Sequence, residues 1–183
     1  VRTRWRVAGS VGGPIEGGGR VSGYFTSATG VTIFGGDALG PDYIGAGFVG
    51  DVGSNLVHRK QLSLDTVPPQ AARPLTEQGR EFLASTDTWF RPVQFGEGPD
   101  GSLYILDMYR ETIEHPWSLP ESIKSHLELN SGNDRGRIYR IHRKNAPQNP
   151  PMTLVDAPPE ALLAALSHPN RWRRQTASRR LLD

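Results

Sequence analysis

The chain carries 21 glycines and 15 prolines among 183 residues, about a fifth of the total, against an ordinary share of about 12%. Hydrophobic residues at 36% and charged residues at 22% supply enough apolar material for a core, which excludes wholesale disorder, and the glycines have no three-residue period, which excludes a collagen-like chain. A net charge of +2 is too small for a general nucleic-acid field, the absence of cysteine removes disulfides, thiolate metal sites and c-type haem attachment from this segment, and no run of about 18 apolar residues offers a membrane span.

Residues 1–23 form a Gly-rich, basic lead-in (Gly12-Gly13, Gly17-Gly18-Gly19) that reads as loop or linker. Its start, Val1-Arg-Thr-Arg-Trp-Arg6, lacks the apolar stretch of a signal peptide and is expected to be a cut inside a longer protein. From Tyr24 on, short β-branched and aromatic runs alternate with turn residues. Gly30-Val-Thr-Ile-Phe-Gly35, Ala46-Gly-Phe-Val-Gly50 and Asn55-Leu-Val-His-Arg-Lys-Gln-Leu62 each read as a strand. A Pro-broken loop at Val67-Pro-Pro-Gln70 precedes a strand at 80–85 and another at Phe90-Arg-Pro-Val-Gln-Phe95. The Asp-Gly of Gly98-Pro-Asp-Gly101, leading into Ser102-Leu-Tyr-Ile-Leu-Asp107, is the strongest hairpin signal in the chain.

Residues 120–129 predict a short helix inserted in a loop, with Pro120 at its first position and Ile123 and Leu127 on one face. The polar turn 130–136 feeds a strand at Arg137-Ile-Tyr-Arg-Ile-His142. Residues 144–159 hold prolines 147, 150, 151, 158 and 159 and read as a linker. Beyond it Leu162, Leu163 and Leu166 are spaced for one helical face, ending at His168-Pro169. Asn170 is the N-cap of a second helix with Trp172, Ala177, Leu181 and Leu182 as apolar positions, making an αα-hairpin over 160–183.

Two stretches repeat. Thr29-Gly-Val-Thr-Ile-Phe aligns with Asp100-Gly-Ser-Leu-Tyr-Ile, and Asp51-Val-Gly-Ser-Asn-Leu-Val-His with Asn133-Asp-Arg-Gly-Arg-Ile-Tyr-Arg. Propeller blades are built of such units. The expected fold is mainly β, a partial β-propeller of about two blades with antiparallel sheets over 24–143, followed by the αα-hairpin. A ring takes about four to eight blades, so open edges are expected and would favour oligomerisation.

Pro92-Val-Gln-Phe-Gly-Glu-Gly-Pro-Asp-Gly-Ser-Leu-Tyr-Ile-Leu-Asp107, followed by Gly132-Asn-Asp-Arg-Gly-Arg-Ile-Tyr-Arg-Ile141, resembles the last blades of glucose/sorbosone dehydrogenase-like β-propellers. Asp51-Val-Gly-Ser-Asn-Leu-Val-His-Arg-Lys60, Gly79-Arg-Glu-Phe-Leu-Ala-Ser-Thr-Asp87 and Arg110-Glu-Thr-Ile-Glu-His-Pro-Trp117 narrow the resemblance to the planctomycete-type "membrane-bound dehydrogenase" family. There a propeller is followed by HEAT-like helical repeats, the first of which the αα-hairpin resembles, and often by a cytochrome domain. The resemblance implies a periplasmic or otherwise extracytoplasmic quinoprotein. Its cofactors would be pyrroloquinoline quinone (PQQ) and calcium, with haem in a domain outside this chain. It would oxidise a sugar or alcohol and pass electrons to the cytochrome.

The same resemblance assigns Arg91 and Asp107 to the cofactor side, with Tyr109 and Arg110 lining the same mouth, and places no catalytic or metal-binding residue here. An arginine fork suits a quinone oxygen or carboxylate. The plainer alternative is a blade-to-blade ion pair between Arg91 and Asp107. Where relatives carry the first arginine of an Arg-x-Arg motif this chain has Trp89, which would stack on a ring or simply pack. The fragment alone is expected to show no turnover. The remaining blades, the helical repeats and the cytochrome domain would be its partners. A different class of function, an interaction scaffold without catalysis, also suits propellers and solenoids.

Other features are weaker. Gly45-Ala-Gly-Phe-Val-Gly50 fits G-x-G-x-x-G, but no helix start follows, so a glycine-edged strand is the better reading. Glu111, Glu114 and His115 do not have metal-ligand spacing and read as a loop packed by Trp117. His58 and His142 read as surface or edge residues, and Asp51 as a turn former. Arg171, Arg173, Arg174, Arg179 and Arg180 read as a solvated helix face, or one docked on an acidic neighbour, rather than a nucleic-acid surface.

Overall fold

The β-branched and aromatic runs assemble into two antiparallel sheets. The computed structural model describes residues 25, 27–113, 115–145 and 153–183, without the side chains of residues 118 and 123. The lead-in 1–23 and the linker residues 146–152 lie outside the described residues. The first sheet runs β1 (Ala28–Ile33), β2 (Gly47–Asp51), β3 (Leu56–Ser63), β4 (Gln70–Ala72), with β5 (Leu83–Ala84) also on β3. β3 is long enough to carry two short strands on one edge, β5 opposite Leu56 and Val57 and β4 opposite Gln61, Leu62 and Ser63. The sequence suggested only a loop where β4 lies. Pro68 and Pro69 form the hairpin tip, and the chain regains strand geometry at once at Gln70.

The second sheet runs β6 (Pro92–Glu97), β7 (Leu103–Asp107), β8 (Arg137–Ile141). Gly101 closes the β6–β7 turn, its N–H donating to the Gly98 carbonyl at 3.0 Å. Its φ is +77°, and a Cβ there would sit 1.9 Å from Asp37 Oδ1, so glycine is required for both backbone and space. The β7–β8 connection is long, residues 108–136, and its α-helix among the described residues is one turn, α1 (Glu121–Lys124), shorter than the expected 120–129.

The sheets face each other across one apolar core of Phe34, Leu39, Ala46, Phe48, Val57, Phe90, Phe95, Leu103 and Ile105. The first strands of the two sheets approach most closely. The Thr29 hydroxyl donates to the Pro92 carbonyl at 2.6 Å, and a Cβ on Gly50 would lie 2.7 Å from that carbonyl. The mainly β class, its antiparallel sheets and the helical pair after them are as expected.

The internal repeat exists in three dimensions, with a different correspondence from the sequence alignment. β1, β2 and β3 match β6, β7 and β8. Asp51 at the end of β2 pairs with Ala28 and Leu56, and Asp107 at the end of β7 pairs with Pro92 and Arg137. Asp51 Oδ1 accepts from the backbone N–H of Ser27 and Gly53 at 3.2 and 3.0 Å. Asp107 Oδ1 accepts from Arg91 and Tyr109, both at 2.8 Å. In each case the donors are the residue before the sheet's first strand and the residue two beyond the aspartate. The alignment of residues 29–34 with 100–105 set a first strand on a second one, because a glycine turn precedes both.

The helical pair is α2 (Pro159–Ala165) and α3 (Arg171–Leu182). Asn170 caps α3 as expected, its Oδ1 accepting from Trp172 N–H at 2.9 Å. Leu162, Ala165, Ala177 and Leu154 form a small second core. Leu163, Leu166, Leu181 and Leu182, expected on the apolar faces, are exposed. The pair is held to the sheets by polar contacts instead. Asn170 Nδ2 donates to the Gly98 and Pro99 carbonyls at 3.1 and 3.2 Å, and Arg173 Nε to Pro99 at 2.9 Å. Arg171 bonds Glu97 and the Ile33 carbonyl.

His168 sits in this junction. Burial, then the Arg173 guanidinium, lowers its pKa below the ordinary histidine value. Below about pH 6.5 the unfolded chain takes up the proton first, so stability present above that pH is lost as pH falls through the folded pKa. The expected result is a thermal midpoint that falls on acidification from about pH 7 to about 5.5, with a shallower fall in His168→Gln. Equal slopes in the two proteins would reject the assignment.

Candidate functional site

The end of β7 gathers Asp107, Tyr109 and Arg110 beside Arg91, which precedes β6, and Arg137, which opens β8. The Asp107 side chain is fully buried; Oδ1 holds the two N–H groups described above, and Oδ2 lies 4.0 Å from Arg137 Nε. Oδ2 has no hydrogen-bond partner among the described residues.

Arg91 is only 1% exposed and is the largest fully buried side chain described. Its Nε donates to the Arg110 carbonyl at 2.8 Å, Nη1 to Val52 at 2.7 Å and Nη2 to Glu111 at 2.7 Å. The guanidinium thus ties the β2–β3 turn to the loop after β7. Arg91 meets Asp107 through its backbone N–H, which corrects the expected alternative of an ion pair between the two side chains.

Tyr109 takes a left-handed conformation, φ 51°, because its N–H turns back to Asp107. The Arg137 guanidinium lies 3.7 Å over its ring and Trp89 meets the ring edge-on at 5.6 Å. A hydrogen bond to the Asp87 carboxylate raises the phenol's pKa above its ordinary value, so at neutral pH Tyr109 is a donor. Arg110 Nη1 is turned onto the backbone carbonyls of Tyr109 and Gly132. Tyr109 therefore stands in a stack between Trp89 and Arg137, and Arg110 shapes the loop behind it.

Beside this stack is an open cleft of about 350 Å³ lined by Trp89, Glu128, Asn130, Ser131, Asn133 and Asp134. One wall is aromatic and the rest offers carboxylate, amide and hydroxyl groups and, at Arg135, a guanidinium. Sequence reasoning read residues 130–136 only as a polar turn and assigned none of the cleft's polar residues to a site. The available signal was the length of the β7–β8 connection, 108–136, against the tight turn at 52–55 that joins the matching strands of the first sheet.

Three further expectations change. His58 is 3% exposed, not a surface residue. Its Nδ1 lies 2.6 Å from Glu81 Oε2, and Arg73 holds the other oxygen at 2.7 Å. Burial works against the Glu81 carboxylate, but the bonds from Arg73 and His58 outweigh it and hold its pKa below the ordinary value. Trp117 does not pack the 111–117 loop; the 3₁₀ turn Pro116–Ser118 leaves it 92% exposed. Glu114 lies outside the described residues, and no group of three possible metal ligands occurs among the described ones. The basic face of α3 is turned largely on its own chain: Arg174 donates to the His168 carbonyl and Arg180 to that of Val155, both at 2.7 Å.

A family model described as a domain of unknown function, DUF7133, matches residues 4–145. The chain belongs to the DUF7133 family. The match spans both sheets and stops before α2, so the cleft and the Asp107 cluster lie within the DUF7133 domain while the docked helical pair lies outside the match. No curated protein and no solved structure matches the chain.

Proposed function

We propose that this DUF7133 domain forms part of a quinoprotein-like, glucose/sorbosone dehydrogenase-like propeller of the "membrane-bound dehydrogenase" type. In that reading the parent protein is extracytoplasmic, oxidises a sugar or alcohol and passes electrons to a cytochrome domain. This segment contributes the substrate-side wall. The observation that carries the proposal is the Trp89-walled polar cleft beside the Tyr109–Arg137 stack. An aromatic face with hydrogen-bonding groups around it suits the apolar face and hydroxyl rim of a polyol ring.

The described residues do not fit PQQ or calcium. Arg91 and the Arg110 guanidinium are committed to backbone carbonyls. Asp107 is buried beneath them. No metal-ligand cluster occurs among the described residues. No redox step is therefore assigned to this chain's residues. Trp89 and Tyr109 orient substrate, the phenol as an acceptor, since its own proton is held by the Asp87 carboxylate.

The parent protein, assayed with sugars and alcohols and a dye acceptor, should oxidise at least one of them only with PQQ and calcium present. Trp89→Ala should raise KM several-fold with little change in kcat, the signature of lost ground-state binding. The second reading, an interaction scaffold, is favoured by the same commitment of Arg91 and Arg110 to backbone. It prevails if no substrate is turned over and sugars leave Trp89 fluorescence unchanged.

A further inference from the structure

The helical pair is attached to the sheets at one polar joint. Its own apolar core, Leu154, Leu162, Ala165 and Ala177, is separate from the core between the sheets. Asn170, Arg171 and Arg173 make the joint by donating to the carbonyls of Ile33, Gly98 and Pro99 and to the Glu97 carboxylate. Each such bond is exchanged for one to water on separation. His168 stands in this joint with both ring nitrogens facing donors. The Asn170 N–H donates to Nδ1 at 3.0 Å, and Arg173 Nη1 lies 3.1 Å from Nε2. A guanidinium only donates, and a neutral imidazole has a single acceptor nitrogen. The neutral ring therefore satisfies one of the two donors, and the protonated ring neither.

We propose that His168 is an acid-operated latch, whose protonation frees the helical pair from the β6–β7 turn while both sheets stay folded. The cation would be set against the Asn170 N–H, at the positive end of α3, and against the Arg173 guanidinium, with Arg174 adding to the repulsion. Asp37, in the loop after β1, is the carboxylate that opposes them. The other acidic groups of the packed elements are committed or distant: Glu97 to Arg171, Asp100 to Ser102 and Arg140, and Glu160 at the far end of α2. Burial, then Arg173, holds the ring's pKa in the docked form below the ordinary value of about 6.5, to which the freed ring returns. Docking is thus complete above that pH and weakens as pH falls through the lowered value. Release uncovers a cleft of about 260 Å³ between the sheets and α3, lined by Thr32, Phe95 and Gly96 on one side and by Trp172 and Gln175 on the other. The latch works whether or not the chain takes part in sugar oxidation.

Residue-resolved amide exchange of the 183-residue chain, followed by NMR from about pH 7.5 to about 5.5, tests this in a window above the ordinary carboxylate range. The Arg171 N–H donates across the joint to the Gly35 carbonyl at 2.8 Å. Its protection relative to a free peptide therefore reports docking, and the amides of β7 report the sheets. In the wild type, Arg171 protection should fall several-fold on acidification while β7 protection holds. His168→Gln, which does not titrate, should show no such fall. His168→Arg, a permanent cation, should show low Arg171 protection at every pH, with β7 again intact. The proposal is overturned by wild-type Arg171 protection that ignores pH, by a matching loss in β7, by a fall that survives in His168→Gln, or by full protection in His168→Arg.

Discussion

Arg91→Ala is expected to destabilise the domain by about 3–5 kcal/mol, the range for removing one partner of a buried charged network. The carbonyls of Val52, Arg110 and Glu111 each lose their charged donor, and each buried acceptor left unpaired costs about 1–3 kcal/mol. Losing the largest fully buried side chain also leaves a cavity. Arg91→Lys should recover only part of the loss, because one ammonium cannot reach three divergent carbonyls in the plane of the guanidinium. Urea unfolding of the wild type and both variants measures this as a fall in the midpoint at unchanged slope. The result separates two roles. An arginine kept for a cofactor would leave the stability of the ligand-free protein within about 1 kcal/mol of wild type when removed; a clamp between the β2–β3 turn and the loop after β7 would not.

How much of this was legible in the sequence depended on range. Strand runs beside glycine turns are visible in the sequence: Leu103–Asp107 through alternating burial, Gly47–Asp51 as a nearly continuous buried run. The same holds for the Asn170 cap and the turn at residues 98–101. β4 was hidden because two prolines precede a polar-start triplet, Gln70–Ala72, whose only support is pairing with β3. The helical faces misled because apolar spacing assumes apolar docking; α3 is fixed instead by Asn170, Arg171 and Arg173 on carbonyls and a carboxylate more than 70 positions away in the chain. The site was half visible. Tyr109 and Arg110 are singled out by their place after a strand; Tyr109 stands in the stack with Trp89 and Arg137, while Arg110 is turned onto backbone carbonyls. Nothing in Arg91's neighbours distinguishes a ligand fork from a buried clamp, since Val52 and Glu111 are far from it in sequence. The cleft wall at 128–134 reads locally as a polar turn. It becomes a site only when the fold brings Trp89 beside it.

In sequence Asp51 reads as a turn former and Asp107 as a cofactor-side residue, yet their alanine variants should each cost about 2–3 kcal/mol for the same structural reason. In both sheets one carboxylate oxygen stitches the entry to the first strand onto the exit from the second. Removing it leaves two N–H groups unpaired at once, at about 1–3 kcal/mol for each that stays buried. Asparagine should be milder in both places, because Oδ1 can still accept the two bonds. At Asp107 the substitution also replaces Oδ2, which faces Arg137, by a second donor, so Asp107→Asn should retain a residual cost. Chemical denaturation of the four variants tests the structural repeat directly. If Asp107→Ala is neutral while Asp51→Ala is costly, the two aspartates are not equivalent, and the pairing of β1–β2–β3 with β6–β7–β8 is coincidental. If both are costly and the losses add in the double variant, each sheet carries its own anchor, independent of the other. The Asp107 anchor would then act on the mouth by position. It holds Tyr109 in its left-handed turn beneath Arg137 and beside Trp89, so in the parent protein Asp107→Asn should disturb substrate affinity only as far as it loosens that stack.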